Sequence, residues 1–360
     1  MNGLTIDTST VNHQRRSVAF IMLHVIAALL PGIAVYSLLI DSRLLPNILI
    51  AGACAVFFES ILVMIRKRAV RPVLKDASIV LAALLLVLSI PQSLPVWQLI
   101  LGILVMCTLG KHVFGGLGHN PFNPAMVAYA FLIVSFPVTM TQWSSDQGVL
   151  DSPAASQSAR VNLSNDEQQR QAWDSLSGAT PLDRLATLKR DTSQASVAAG
   201  DIESASVDST QLILSSDWVW LSLAWLVGGV YLLLMRIISW RIPLSVITTI
   251  WCSYFLFGLF STVTVLPATV ALFSGAIMLG AFFIATDPVS AATSDTGKLV
   301  YGAGIGVLCF FIREFSAYPE GMAFAVLLMN MCVPLIDHAF TRNRLPKANT
   351  GNTPPDNPRK

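Results

Sequence analysis

The chain has 360 residues, of which 54% are hydrophobic and only 12% are charged, and its formal net charge is +2. Ordinary soluble domains carry about 25% charged residues. Runs of 24, 34 and 45 consecutive residues contain no Asp, Glu, Lys or Arg, whereas a soluble helix needs polar residues on its surface at every turn or two. The composition therefore excludes a soluble globular protein and predicts an all-α integral membrane protein that crosses the bilayer repeatedly.

The cysteines and the net charge exclude further classes. The five cysteines all lie in apolar runs and are never closer than 23 residues to one another. Cysteine zinc sites and redox-active pairs need closely spaced cysteines, so no disulfide framework, zinc site or CxxC cluster is predicted. A net charge this small gives no reason to expect a nucleic-acid partner. The expected surroundings are membrane lipid.

The uncharged runs predict about ten membrane spans, because about 20 apolar residues cross a bilayer. A first five-helix unit, residues 17–142, holds spans at 17–40, 44–65, 77–110 (two spans divided at 91–95) and 125–142. A second unit, residues 218–338, holds spans at 218–235, 242–286 (two spans divided near 262–267), 299–312 and 321–336. The last two are short, so they are either extended by their polar ends or re-entrant, which would reduce the count to eight or nine.

Lys and Arg in the short loops predict the orientation, because cytoplasmic loops are enriched in these residues. The basic residues fall in alternate loops, at 66–75, at Lys111, at Arg236 and Arg241, and after residue 338. The intervening loops at 91–95 and 262–267 carry no charge. Residues 1–16 and a disordered tail at 339–360 are therefore expected in the cytoplasm.

The long insert at residues 143–217 is then expected on the outer side. It carries eleven acidic and five basic residues, a balance that suits a translocated segment. Five spans precede it and five follow it. Two homologous units with an odd number of spans have opposite orientations in the membrane, so the count predicts two inverted repeats with a site at their interface.

Within the insert, residues 174–183 read Asp-Ser-Leu-Ser-Gly-Ala-Thr-Pro-Leu-Asp. The simplest interpretation is a helix start, with Thr180 as N-cap and Pro181 at the first helical position. However, the small residues Gly178 and Ala179 would let a large group approach the Thr180 hydroxyl, and a helix N-terminus attracts phosphate. The segment therefore also suits a threonine that carries a phosphate ester.

The pattern Asp174-x-x-Ser177-Gly178-Ala179-Thr180 resembles the D-x-x-S/T-G-A-T signature at which a flavin transferase attaches FMN to threonine through its phosphate. With this loop outside a ten-span protein, the chain resembles the family that unites the D component of Rnf-type ion-translocating oxidoreductases with the B component of sodium-translocating NADH:quinone reductases. The resemblance implies covalent FMN on Thr180, with Asp174, Ser177, Gly178 and Ala179 as its attachment motif.

A second string, at residues 115–125, reads Gly-Gly-Leu-Gly-His-Asn-Pro-Phe-Asn-Pro-Ala. Such residues commonly form a simple turn. At membrane depth, however, backbone groups without helical partners are tolerated only where they line a site or pack on protein. The string also resembles the family's G-G-x-G-x-N-x-F-N-P-A element, so Gly116, Gly118, Asn120 and Asn123 are candidates to line a cofactor or ion site.

Two acidic residues complete the candidates. Asp287 lies in the string Ala-Thr-Asp-Pro-Val-Ser-Ala-Ala-Thr at 285–293, which is either a helix break or a family element that lines a site. Glu59 lies about two helical turns inside its span. As a structural residue, it would pair with Arg66 or Lys67, or it would be protonated because of desolvation. As a functional residue, it would belong to a cation or proton relay. The tryptophans that follow the insert are expected to mark membrane interfaces.

The resemblance implies a subunit of an Rnf-type electron-transport complex in the bacterial inner membrane, which couples electron transfer to Na⁺ or H⁺ translocation and is not catalytic alone. Covalent FMN is the implied cofactor, with riboflavin as a further non-covalent one, and the implied partners are the Rnf components A, B, C, E and G and the flavin transferase. Two alternatives stay open: a component of the sodium-translocating NADH:quinone reductase, and a non-redox channel or permease with inverted repeats, in which Thr180 is an ordinary N-cap. No catalytic residue is assigned.

Overall fold

The computed structural model describes residues 17–143, 217–260, 267–316 and 321–341. All regular structure in these ranges is helical. In chain order the α-helices are α1 (Val18–Leu39), α2 (Leu44–Ile65), α3 (Val70–Leu74), α4 (Ser78–Ser89), α5 (Val96–Cys107), α6 (Pro124–Ser135), α7 (Pro137–Thr141), α8 (Asp217–Leu234), α9 (Arg241–Phe260), α10 (Ala268–Phe273), α11 (Ile277–Leu279), α12 (Asp295–Phe315) and α13 (Met322–Thr341). A first π-helical turn, Thr108–His112, continues α5, and a second, Gly280–Ile284, continues α11.

Six of these helices are long and apolar enough to cross a membrane: α1, α2, α8, α9, α12 and α13. Three shorter apolar helices, Ser78–Ser89, Val96–His112 and Pro124–Ser135, accompany them. The chain is therefore a polytopic helical membrane protein. The count of ten spans and the inverted repeats stay predictions, because they require the shorter and interrupted helices to cross as well.

The break predicted at residues 91–95 separates α4 from α5. Gln92 is buried in this break, and its Nε2 donates hydrogen bonds to the carbonyls of Val87 (2.9 Å) and Ile90 (3.0 Å). Asn47 of α2 in turn donates to the side-chain oxygen of Gln92 at 3.0 Å. The amide thus replaces the helical partners that the chain loses at this turn.

Four predicted spans differ from the structure. The second span expected in the run 242–286 is interrupted at residues 274–276, between α10 and α11. The span expected at 125–142 is divided at Phe136 into α6 and α7, since Pro137 has no N–H to continue α6. The span expected at 299–312 begins four residues earlier, at Asp295, because Ser294 caps α12 by accepting from the Gly297 N–H at 3.1 Å. The last helix, expected at 321–336, continues to Thr341. Polar residues thus extend both final helices beyond their apolar runs.

Glycines bring the two halves of the bundle into close contact. A methyl group on Gly228 of α8 would overlap the Ala28 carbonyl of α1, and one on Gly32 would overlap the Trp225 ring. Trp225 is only 3% exposed, so it packs inside the bundle, whereas the tryptophans after the insert were expected mostly to mark membrane interfaces. The small residues allow α1 and α8 to pack backbone against backbone.

The two ends of the bundle differ in the residues they carry. The basic end holds Arg66, Arg68, Lys111 and the loop at 113–123. The aromatic end holds Trp143 and Trp218, whose rings contact edge to face at 5.8 Å.

Candidate functional site

A cavity lies between the two halves of the bundle at the aromatic end. About 740 Å³ of space lies between its walls when the open solvent at its mouth is included. Its wall continues inward along apolar side chains to Met126 of α6 and Ile284 of the second π-helical turn. Five aromatic side chains contribute to its lining: Tyr36, Tyr129, Trp143, Trp218 and Trp225.

At the basic end, Glu59 of α2 is fully buried and pairs with two side chains of the first π-helical turn. Its Oε1 accepts from Lys111 Nζ at 2.7 Å, and its Oε2 lies 2.9 Å from His112 Nε2. Lys111 Nζ also donates to the Ser78 hydroxyl at 3.1 Å. The expected partners Arg66 and Lys67 are therefore not the ones that pair, because α5 and its π-helical extension lie against α2 and bring Lys111 and His112 to the carboxylate.

Arg66 extends this cluster. Its guanidinium lies 3.4 Å from His112 Nδ1 and donates to the His112 carbonyl at 3.3 Å. The buried Glu59 carboxylate thus has the Lys111 ammonium and the His112 ring as its two partners. Turns of π-helix are rare and are frequent at functional sites, so the cluster is a candidate ion or proton site.

Asn123 joins the two halves at the same end. Its Oδ1 caps α6 by accepting from the N–H groups of Ala125 (3.0 Å) and Met126 (3.4 Å). Its Nδ2 donates to the carbonyl of Ile284, the last residue of the second π-helical turn, at 3.3 Å. The side-chain amide of Asn123 thus bonds free N–H groups at the start of α6 and a free carbonyl at the end of the second π-helical turn.

A buried amide of α13 continues this connection. The side-chain oxygen of Asn330 accepts a hydrogen bond from the Asn123 N–H at 3.1 Å. The side-chain nitrogen of Asn330 donates to the carbonyl of Ser290 at 3.2 Å. The Tyr301 hydroxyl lies 2.7 Å from the same amide. Sequence reasoning missed Asn330 and Tyr301, although a polar side chain inside an apolar span is itself a signal.

Asp287 enters the same network through Ser290. Its Oδ2 accepts from the Ser290 hydroxyl at 2.7 Å and from the Ser290 N–H at 3.1 Å. Desolvation by the surrounding protein raises the pKa of the Asp287 carboxyl above its ordinary value, and these hydrogen bonds oppose that rise. The structure therefore brings Asn123 and Asp287 together through Ser290 and Asn330, in a cluster distinct from that of Glu59.

The other predicted lining residues occupy the loop at 113–123. Gly116 and Gly118 have φ values of 105° and 91°, a region that L side chains rarely adopt. Gly116 lies beside the guanidinium groups of Arg66 and Arg68. Asn120 is 3% exposed and donates to the Phe122 carbonyl at 2.9 Å, while its Oδ1 has no hydrogen-bond partner in the described structure. That oxygen is available to a ligand N–H or O–H.

The attachment motif, Asp174, Ser177, Gly178, Ala179 and Thr180, lies outside the described residues. Its assignment therefore stays a prediction. Within the described ranges, no group of three or more His, Cys, Asp or Glu side chains is arranged to hold a metal ion. The buried polar clusters described above consist of amides, hydroxyls, the Asp287 carboxyl and the group formed by Glu59, Lys111 and His112.

These features define a polytopic helical membrane protein with interrupted helices and buried polar clusters between its two halves. Its sequence matches the family model described as "NQR2, RnfD, RnfE family" over residues 5–345. The chain belongs to this family. The match includes the first hundred residues, where none of the motifs lies.

Similar proteins share one name. A protein of Escherichia coli O81 (strain ED1a), named as the D component of the ion-translocating oxidoreductase complex, is 41% identical over 348 residues, which cover 94% of this chain and 97% of that protein. Proteins with the same name from Escherichia coli O1:K1 / APEC and Escherichia coli K12 / DH10B are 40% and 41% identical over the same shares. The similarity thus extends over nearly the full length of each protein.

Proposed function

We propose that this chain is a membrane subunit of an ion-translocating oxidoreductase complex and carries FMN esterified to Thr180. Family membership and the name of the full-length relatives support the first part. The observation that carries the second is the Asp-x-x-Ser-Gly-Ala-Thr motif at 174–180 in a chain of this family. Flavin supplies one- and two-electron chemistry, and the protein supplies its placement and tuning.

An internal repeat supports the proposed five-plus-five arrangement. Residues 102–107 read Gly-Ile-Leu-Val-Met-Cys, residues 304–309 read Gly-Ile-Gly-Val-Leu-Cys, and a basic residue follows each cysteine at the same spacing, Lys111 in one case and Arg313 in the other. Lys111 lies at the basic end. Arg313 donates to the carbonyl of Ser274 at 3.2 Å, next to the cavity at the aromatic end. These two short segments therefore run in opposite directions through the bundle, which supports the proposal of inverted units.

In this proposal the basic end faces the cytoplasm, because the short loops rich in Lys and Arg lie there. Glu59, Lys111 and His112 then form the cluster through which a cation or proton enters on that side. Asn120 and Asn123 lie at the same end, where the unpartnered Asn120 Oδ1 suits a second ligand with a hydrogen-bond donor, such as non-covalent riboflavin. The insert at 143–217 and its flavin are on the outer side. Electrons pass through contact with other subunits, since the chain has no closely spaced cysteines for a cluster of its own.

The attachment is tested by replacing the threonine hydroxyl with a methyl group. Wild-type protein from a host with the flavin transferase is expected to give a flavin-fluorescent band on a denaturing gel, and Thr180→Val is expected to lose that fluorescence completely, because valine has no oxygen to esterify. Thr187→Val, in the same insert, is the matched control and keeps the wild-type signal. A wild-type band without fluorescence would contradict the proposal and favour a non-redox channel.

A further inference from the structure

The ten residues that follow α2 form a basic segment at the basic end of the bundle. Residues 66–75 contain no acidic residue and five basic ones, which are Arg66, Lys67, Arg68, Arg71 and Lys75. Within the described ranges, none of the five has an Asp or Glu oxygen within 4 Å of its charged nitrogens. The next acidic residue, Asp76, accepts from the N–H and the hydroxyl of Ser78 at 2.9 and 2.7 Å. The segment therefore concentrates positive charge that suits an anionic ligand.

Two of these side chains are held in place by the chain that follows α5. Arg66 Nη1 donates to the His112 carbonyl at 3.3 Å, and Arg68 Nη1 donates to the Gly115 carbonyl at 3.4 Å. A methyl group on Gly116 would lie 3.8 Å from the first guanidinium and 4.0 Å from the second. The two guanidinium groups thus meet beside a residue that has no side chain. Because each guanidinium has five N–H donors, those not used in these bonds can face an oxyanion.

Apolar side chains border the two arginines on the surface of the bundle. Ile65, the last residue of α2, is 70% exposed, and Val113 and Phe114 are 65% and 40% exposed. The Phe114 ring packs edge to face on Phe122 at 6.1 Å, which holds it in position. An apolar span ends where the hydrocarbon core meets the lipid headgroups. The surface therefore offers fixed guanidinium groups at headgroup depth with an apolar flank beside them.

We propose that Arg66 and Arg68 bind the phosphodiester of an anionic phospholipid. Its acyl chains lie along Ile65, Val113 and Phe114. Guanidinium groups form strong, charge-assisted hydrogen bonds to phosphate oxygens, and basic clusters next to a membrane span attract anionic lipids. A soluble phosphate would use the arginines alone, whereas a phospholipid also covers the apolar flank. This inference is independent of the flavin.

Binding at this site is expected to stabilise the protein, because the arginines are connected to the buried cluster of Glu59. Arg66 also lies 3.4 Å from His112 Nδ1, and His112 Nε2 lies 2.9 Å from the Glu59 carboxylate. A phosphate group offsets the charges of the two guanidinium groups and restricts their motion. A ligand that binds only the folded protein raises its unfolding temperature with concentration.

The experiment follows thermal unfolding of the purified full chain, stripped of lipid in detergent, as phosphatidylglycerol is added in mixed micelles. Phosphatidylglycerol is expected to raise the unfolding midpoint of the wild type, and phosphatidylcholine with the same acyl chains is expected to have little effect. Arg66→Gln combined with Arg68→Gln is expected to raise the phosphatidylglycerol concentration needed for half of the shift several-fold. Arg236→Gln combined with Arg241→Gln is the matched control, because it removes two arginine charges at the same end, and it is expected to titrate like the wild type.

Arg68→Gln alone decides the question if the double variant does not fold, because it preserves the contacts of Arg66 with His112. It is expected to shift the titration in the same direction by a smaller factor. Equal stabilisation by the two lipids, or a full shift with inorganic phosphate alone, would overturn the proposal. Arginine variants that titrate like the control would overturn it too, and if they have also lost association with other subunits, the arginines serve a protein contact instead.

Discussion

Lys111→Met is expected to destabilise the protein strongly. Lys111 and Glu59 are 3% and 0% exposed, and their side chains meet at 2.7 Å. Methionine preserves most of the side-chain volume but removes the ammonium group, which leaves the buried Glu59 carboxylate with His112 as its remaining partner. Removing one partner of a buried ion pair costs about 3–5 kcal/mol. Thermal unfolding of the purified protein in detergent should therefore show a markedly lower midpoint.

Two controls separate the loss of charge balance from the loss of packing. The double substitution Glu59→Gln with Lys111→Met removes both charges and is expected to recover much of the lost stability. Asp295→Asn removes a charge from the partly exposed pair with Arg241 and is expected to have little effect, because solvent screens that pair. If Lys111→Met unfolds at the same temperature as Asp295→Asn, the buried cluster does not stabilise the bundle.

Gly228→Val is expected to separate the two halves of the bundle. The added carbon atoms would overlap the Ala28 carbonyl of α1, which is backbone and cannot rotate away, and would press on the Phe283 ring. Overpacking a well-packed interior typically costs about 1–3 kcal/mol and sometimes more, and a backbone obstacle places this site at the upper end of that range. The yield of monodisperse protein in size-exclusion chromatography is expected to fall sharply.

Gly258→Val is the matched control for this substitution. Gly258 lies in α9, and a methyl group there would have no neighbour within 4 Å among the described residues. Both changes replace a helical glycine with the same β-branched residue, so their intrinsic helix propensities change alike. Equal yields and equal unfolding midpoints for the two variants would show that α1 and α8 do not pack as closely as the structure indicates.

The positions of the helices could largely be read from the sequence. Uncharged runs indicate where the apolar helices lie, and the prolines at 91 and 95 locate the break between α4 and α5. The limits of α12 were less predictable, because Asp295 and Lys298 belong to a helix that continues beyond its apolar portion. A hydropathy pattern registers the apolar portion of a span, whereas capping by a residue such as Ser294 decides where the helix begins.

The partners within the polar clusters could not be predicted in the same way. One of the alternatives for Glu59 was a pair with basic residues nearby in sequence, but its partners Lys111 and His112 are more than 50 residues away along the chain. Such pairs depend on which helices pack together, and a π-helical turn has no recognisable sequence pattern. Asn330 was overlooked although it lies in an apolar run, where an amide needs internal partners.

Covalent attachment of the flavin is tested by mass spectrometry of the tryptic peptide that spans residues 171–184, obtained from protein made in cells with the flavin transferase. The peptide is expected to be heavier by one FMN less one water, and fragmentation is expected to locate the added mass on Thr180. An unmodified peptide recovered quantitatively, or flavin located on another residue, would contradict the assignment.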